Sequence, residues 1–369
     1  MTKIYQRKKY NVHGKFRFTM AGNFSDYALN EWRYYFDDND DYLKTNLQVF
    51  VLDKRIPDPW KIGGTLPMEV VGMKAWISDN SIIFTNSHKF ANWKAWVSYV
   101  QRTDQPPEIY FEPGIFGWWY LRENLIEPYM RYYLAEYADT FLIHAASMSI
   151  NGKGVLLPAF GGVGKSMTIL NMSTEPGHDI KFMSEDCALV TGDRKILGYP
   201  HVLRTFSFST KPVGPFYDRI STLGKITIKM KELLHKIFFG FARLPYDFYD
   251  LNKMFNGRLE KEAPLKYVFF LRKTNQDYVS CNGGLSKDDM IHQMKEMIRM
   301  ELFEHSNFDP YFMYSAFHPL PMVENYWENL DRGLRKIFDG VEIHEIYIPV
   351  KYDRKAYDDV KEYILKVVE

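Results

Sequence analysis

Three glycines, a lysine and a hydroxyl residue stand together in Ala159-Phe160-Gly161-Gly162-Val163-Gly164-Lys165-Ser166. Glycine lets a backbone turn tightly with its N–H groups aimed at one point, and a helix beginning there adds the positive end of its dipole. Such a bend cradles phosphate oxygens. Lys165 would supply a mobile positive charge for the β- and γ-phosphates, and the Ser166 hydroxyl could ligate Mg²⁺. The run fits the relaxed phosphate-binding loop, with Ala159 in the place of the first glycine. Ala159 to Ser166, together with Met167 at the next amide, form the expected nucleotide contact. The competing reading is a glycine-rich turn joining a core strand to a helix.

Two adjacent acids, Glu185 and Asp186, follow about twenty residues after the lysine. Phosphoryl transfer needs one carboxylate to hold the metal and another to accept the proton of an attacking hydroxyl. An isolated acidic pair is usually a turn, so this pair gains its meaning from the loop upstream. We assign Asp186, with Ser166, to the metal and Glu185 to the base, the reverse being equally compatible with the residue types. His144, set among apolar residues, is a further catalytic candidate, although a histidine in such a setting is more often a core residue. Arg204 is a candidate phosphate clamp.

The elements around these residues can be read from periodicity. Residues 140–150 form an apolar run that predicts a buried strand. Asn151-Gly152 is a strong hairpin dipeptide, and Val155-Leu156-Leu157 resumes a strand that leads into the loop. A hairpin feeding the loop makes these two strands antiparallel, whereas common phosphate-loop sheets use parallel strands with helical crossovers. A helix should follow Lys165, then strands near 178–183, 187–190 and 195–198. Further strands are expected at 265–271 and 343–350. Helices are expected at 123–139, from Ser286 (a capping box with Asp289) and at 357–367. In the helical segment around 226–241, Met230, Leu233, Leu234, Ile237, Phe238 and Phe241 recur at helical spacing among lysines. A packed core helix is preferred there over a basic amphipathic helix that docks on a membrane or an acidic partner.

The chain has 369 residues, 46% of them hydrophobic and 25% charged, enough for a sizeable core and a two-domain prior. Seven of the eight tryptophans lie before residue 130, in short apolar runs punctuated by Gly, Pro and Asn/Asp, which predicts an aromatic-rich, strand-built domain over 1–130. The acidic run Asp37-Asp38-Asn39-Asp40-Asp41 lacks the glycine and terminal glutamate of a calcium loop and reads as a solvated turn. The remainder, 131–369, would be the nucleotide-binding domain, with a helical insertion at about 210–262. A formal net charge of +1 exerts no general pull on nucleic acid or anionic membranes. Cys187 and Cys281 are far apart and in no ligand spacing, so they are expected to make neither a disulfide framework nor a zinc site. No apolar run approaches a membrane span and no signal peptide is visible, so the chain reads as soluble and cytoplasmic.

The order of features resembles the catalytic domain of HPr kinase/phosphorylase and related kinases. The match rests on Phe141-Leu142-Ile143-His144-Ala145-Ala146, the turn, the loop ending Gly164-Lys165-Ser166, and Ser184-Glu185-Asp186. It extends well over about 140–205 and loosely over 263–300. The resemblance implies an α/β (α+β) core of the phosphoenolpyruvate-carboxykinase-like kind, with a mixed twisted sheet and a hairpin entering the phosphate loop. It also implies a histidine in the preceding strand and an acidic pair after the helix, where Glu185 stands in place of the usual aspartate. The function implied is ATP- and Mg²⁺-dependent transfer of the γ-phosphate to a hydroxyl, on a protein or peptide serine or a small metabolite. A homo-oligomer is compatible with it. The alternative from another class is a nucleotide-gated binding protein that performs little chemistry. A phosphoenolpyruvate-carboxykinase-type enzyme ranks third, because its additional metal-binding lysine and histidine are not evident.

Overall fold

The computed structural model describes the chain except residues 1–5, 23–25, 38–44, 53–55, 57, 59–60, 62, 71–72, 89–90, 102–104, 115–117, 206–212, 238–245, 249, 283 and 306–308. Most of the acidic run after Asp37, and the phenylalanines expected at the end of the basic helix, lie outside the described residues. The architecture is mixed α/β with two large mixed sheets. It divides into two compact units, Met1–Asp139 with Met300–Leu330, and Thr140–Arg299 with Asp331–Glu369.

The first unit holds strands β1 (Gln6–Val12), β2 (Phe16–Gly22), β3 (Leu47–Val51), β4 (Thr65–Val70), β5 (Met73–Ser78), β6 (Ser81–His88), β7 (Ala91–Ser98) and β8 (Glu108–Glu112). Their order is β1-β2-β3-β8-β7-β6-β5-β4, parallel at β2/β3 and β3/β8 and antiparallel elsewhere. Strict alternation of buried and half-buried residues in β3 and β8 gives the sheet one apolar face. Phe16, Phe18, Trp32, Phe84 and Phe111 are buried among its core residues. Bulky aromatics each remove a large apolar area from water, which suits a sheet with few covering helices.

The expected boundary near 130 differs from the observed division. The helix Glu127–Tyr137 belongs to the first unit, and so does the later segment Met300–Leu330. Side-chain chemistry accounts for this. Tyr129 packs on Tyr311, and Tyr132 packs edge-on against Tyr326. The Tyr311 hydroxyl donates to the Leu125 carbonyl at 2.9 Å, and the Tyr132 hydroxyl donates to Asp309, which caps the helix Pro310–Ser315. Contacts between residues so distant in sequence leave no mark on local periodicity.

The second unit holds β9 (Thr140–Ile143), β10 (Ala145–Ile150), β11 (Lys153–Pro158), β12 (Ile180–Ser184), β13 (Ala188–Thr191), β14 (Lys195–Leu197), β15 (Leu203–Thr205), β16 (Tyr246–Phe248), β17 (Glu262–Thr274), β18 (Ser280–Asn282) and β19 (Glu342–Pro349). The large sheet runs β12-β10-β11-β17-β14-β13-β9, with β19 on β17 and β18 on β19. The long strand β17 organises it, parallel to β11 and β19 and antiparallel to β14. β10 and β11 form the expected antiparallel hairpin, turning at Asn151 (φ 50°) and Gly152 (φ 76°). These paired positive φ angles are what a two-residue hairpin turn of the I′ kind requires.

The segment at 210–262 is less purely helical than expected. It contains helices Pro215–Arg219, Thr222–Ile237 and Leu251–Met254, but β16 within it pairs antiparallel with β15. Of the apolar stripe expected to pack in a core, Met230 and Leu233 are exposed, as are Leu223 and Ile226 earlier in Thr222–Ile237, while Ile228 is buried; the side chains of Ile237, Phe238 and Phe241 lie outside the described residues. Periodicity identifies an apolar stripe, but only tertiary packing decides whether anything covers it. Among the described residues, no helix is long and apolar enough to cross a membrane.

Candidate functional site

The glycine run joins β11 to the helix Lys165–Thr174. Ala159 leaves β11 as a parallel bridge to Leu271 of β17, so the loop starts from the middle of the large sheet. Gly162 (φ 76°) and Gly164 (φ 128°) hold backbone conformations that L side chains rarely adopt, and the chain can turn into the helix only through them. Val163 N–H closes the bend on the Phe160 carbonyl at 3.4 Å, and Thr168 N–H makes the first helical bond to the Gly164 carbonyl at 2.9 Å. The amides of the first helical turn before Thr168 have no acceptor within their own helix and face the bend, the arrangement that attracts an anion.

This helix is anchored along its length. Thr168 Oγ1 donates to the Gly164 carbonyl at 3.1 Å, so its single proton is committed and the Tyr352 hydroxyl must donate to it, at 2.8 Å. The Tyr352 ring lies against the place a Cβ on Gly164 would occupy, 3.5 Å away. Burial pushes the Tyr352 phenol above its ordinary range and keeps it a donor. Asn171 accepts from Phe216 N–H at 3.1 Å and donates to the Met167 carbonyl at 2.8 Å. At the far end Glu175 takes the Tyr357 hydroxyl at 2.8 Å and Lys361 at 3.1 Å.

Two segments of the sheet place the remaining candidates. Residues 140–150 were expected as one continuous strand, but the strand breaks at His144, between β9 and β10. Its antiparallel partner breaks at the same level, at Glu185, Asp186 and Cys187, between β12 and β13. Ile143 pairs with Ala188 on one side of the break and Ser147 with Ser184 on the other. Three residues on each strand therefore lie between registered pairs, and just beyond the gap the register slips by one, Met148 pairing with Phe182. The buried Ser147 and Ser184 hydroxyls share a 2.6 Å hydrogen bond that pins one edge of the gap. Side chains at a suspended ladder are released from strict alternation, and His144, Asp186 and Cys187 converge there.

Lys165 reaches into this gap. It is only 6% exposed, although it is the first residue of its helix. Its Nζ lies 2.9 Å from His144 Nε2 and 3.0 Å from Asp186 Oδ1, with the Asp186 carbonyl at 3.4 Å. An ammonium has no lone pair, so in this contact Nζ donates and Nε2 accepts. The Asp186 side chain is 66% exposed, so one end of this pair is buried and the other meets water.

Of the residues singled out from sequence, His144, Lys165 and Asp186 thus come together. Ser166 is half-buried in the first helical turn and Glu185 is half-buried beside Asp186. The side chains of Met167 and Val163 face the core, which leaves their backbone amides as the groups available to a ligand. Arg204 occupies β15 opposite Asp247 of β16, and its side chain lies outside the described residues. Sequence reasoning read Cys187 as part of no metal site, yet its sulfur falls within 4.8 Å of donor atoms on His144 and Asp186. It passed over Thr168 and Tyr352. Adjacency to the acidic pair was the one signal that could have pointed to Cys187. No model of a known protein family matches the chain, and no curated protein sequence matches it.

Proposed function

We propose that the second unit is the catalytic domain of an ATP- and Mg²⁺-dependent kinase, similar to HPr kinase/phosphorylase, that phosphorylates a hydroxyl. The observation that carries this reading is Lys165, which stands at the head of the glycine-bend helix and touches both His144 and Asp186. An anion on the bend would meet the first-turn amides and the Lys165 ammonium together. The residues suit the group: two glycines supply the bend, and nothing lies within 4 Å of a Cβ placed on Gly161 or Gly162, so the approach is open.

In this reading Ser166 and Asp186 hold Mg²⁺, which when bound neutralises charge on the phosphates. Lys165 leaves its resting contacts for the phosphate oxygens. Glu185 accepts the proton of the acceptor hydroxyl, and before the nucleotide binds His144 holds Lys165 beside Asp186. The acceptor is a serine on a protein or peptide, or the hydroxyl of a small metabolite. Labelled ATP offered with peptide and metabolite acceptors tests the proposal by mass spectrometry. A labelled product lost on Glu185→Gln supports it. Tight ATP binding with no labelled product from any acceptor overturns transfer and leaves the nucleotide-gated binding protein.

A further inference from the structure

The three donor atoms at the broken ladder differ in kind: an imidazole nitrogen, a carboxylate oxygen and a thiol sulfur, all within 4.8 Å of one another. Donors around one tetrahedral ion sit roughly 3.3–3.8 Å apart, given ligand bonds of about 2.0–2.3 Å. Closing the set to that size takes at most about 1.5 Å for any pair, and the exposed Asp186 side chain is the member most at liberty to move.

We propose that His144, Asp186 and Cys187 form a three-ligand site for a thiophilic divalent transition metal of the zinc type, which shares Asp186 with the magnesium of the proposed function, so that the two ions occupy it in turn. A thiolate is a soft ligand that hard magnesium and calcium do not select, whereas a mixed N, O and S set suits zinc and its neighbours. Three protein ligands with the fourth position open is the arrangement that leaves room for water or a substrate oxygen. The point already holds positive charge, because the Lys165 ammonium contacts two of the three ligands. It accepts from neither, so both His144 Nε2 and the carboxylate present lone pairs toward the same point.

Lys165 and the metal compete for that position. Metal binding displaces the ammonium, and binding the metal releases the Cys187 proton to solvent as the sulfur becomes a thiolate. An anion that draws Lys165 toward the glycine bend frees the ligands. Metal and anion binding are therefore positively linked, and by reciprocity each tightens the other. This linkage rests on the phosphate-loop reading of the proposed function, but the metal site does not.

The test uses the full chain with no nucleotide and Co²⁺ or Zn²⁺ as the probe. Co²⁺ titration should give tetrahedral visible bands and a near-ultraviolet thiolate charge-transfer band. The charge-transfer band should vanish in Cys187→Ser and persist in Cys281→Ser. His144→Ala and Asp186→Asn should each weaken binding by roughly 10–100-fold. X-ray absorption on the Zn²⁺-loaded wild type should show one sulfur at about 2.3 Å, a reading that does not depend on any variant folding. Lys165→Ala should tighten metal binding about tenfold, the size of a modest coupling between sites. Sulfate, an anion that binds these metals only weakly, should tighten it in the wild type and not in Lys165→Ala. A charge-transfer band that survives Cys187→Ser, or a zinc shell of nitrogen and oxygen alone, overturns the site. Intact metal binding that is indifferent to sulfate overturns the linkage and counts against the phosphate loop.

Discussion

Nζ of Lys165 rests 2.9 Å from Nε2 of His144, joining the first residue of a helix to the point where an adjoining strand is interrupted. His144→Phe keeps an aromatic ring there but removes the acceptor and leaves a largely buried ammonium with Asp186 alone. A buried donor deprived of its partner costs about 1–3 kcal/mol, which urea denaturation of wild type and variant should read directly.

Gly164→Ala should damage the bend through backbone strain rather than collision. The added methyl would meet the Tyr352 ring at 3.5 Å, an ordinary contact, but φ of 128° is foreign to alanine. Strain of this kind costs on the order of 1–3 kcal/mol. We expect a lower thermal midpoint and weaker binding of inorganic tripolyphosphate, with the far-ultraviolet circular dichroism retained.

Tyr352→Phe removes the hydroxyl that donates to Thr168 and should cost about 1 kcal/mol at neutral pH. The pH dependence follows from the raised folded-state pKa, which burial produces. The folded protein keeps the phenol protonated where the unfolded chain releases its proton. The stabilisation is therefore complete below about pH 10 and declines as pH rises toward the folded value. Denaturation curves between pH 8 and pH 11 (roughly the window set by the unfolded phenol) should fall more steeply for wild type than for Tyr352→Phe.

Asp331 has the opposite sign. Hydrogen bonds from Lys295 and Arg335 hold its carboxyl below the usual range. Its contribution is present above the unfolded carboxylate pKa and is lost as pH falls through the lowered folded one. Asp331→Asn should cost about 0.5–1 kcal/mol at pH 7, as befits a partly exposed pair. The difference from wild type should close below about pH 3.

Gly333→Ala probes packing in the second unit. A Cβ there would lie 2.1 Å from the Phe141 ring, which is buried in β9. The ring cannot yield without disturbing the core, so we expect a loss of about 1–3 kcal/mol and a matching drop in the chemical denaturation midpoint.

Short-range physics accounts for what could be read without coordinates. The Asn151-Gly152 hairpin, the glycine bend and the helix beginning at Lys165 follow from the conformational limits of Asn and Gly and from 3.6-residue spacing. Ser286 caps its helix as expected, its hydroxyl accepting from Asp289 N–H at 3.1 Å. Each of these features is decided within a few residues. The run 140–150, by contrast, has uniform apolar character, and nothing in it announces a break at His144.

Sequence alone determined which chemistries were at hand: a lysine and a hydroxyl behind three glycines, a pair of acids, a histidine and a thiol. Tertiary structure alone decided which of them meet. The gap in the ladder between 140–150 and 180–191 brings Cys187 to His144, and aromatic packing draws Met300–Leu330 into the first unit. The exposure of Leu223, Ile226, Met230 and Leu233 was decided in the same way. Burial and cross-strand register depend on contacts between residues tens to hundreds of positions apart, and their energies are not encoded in any local window.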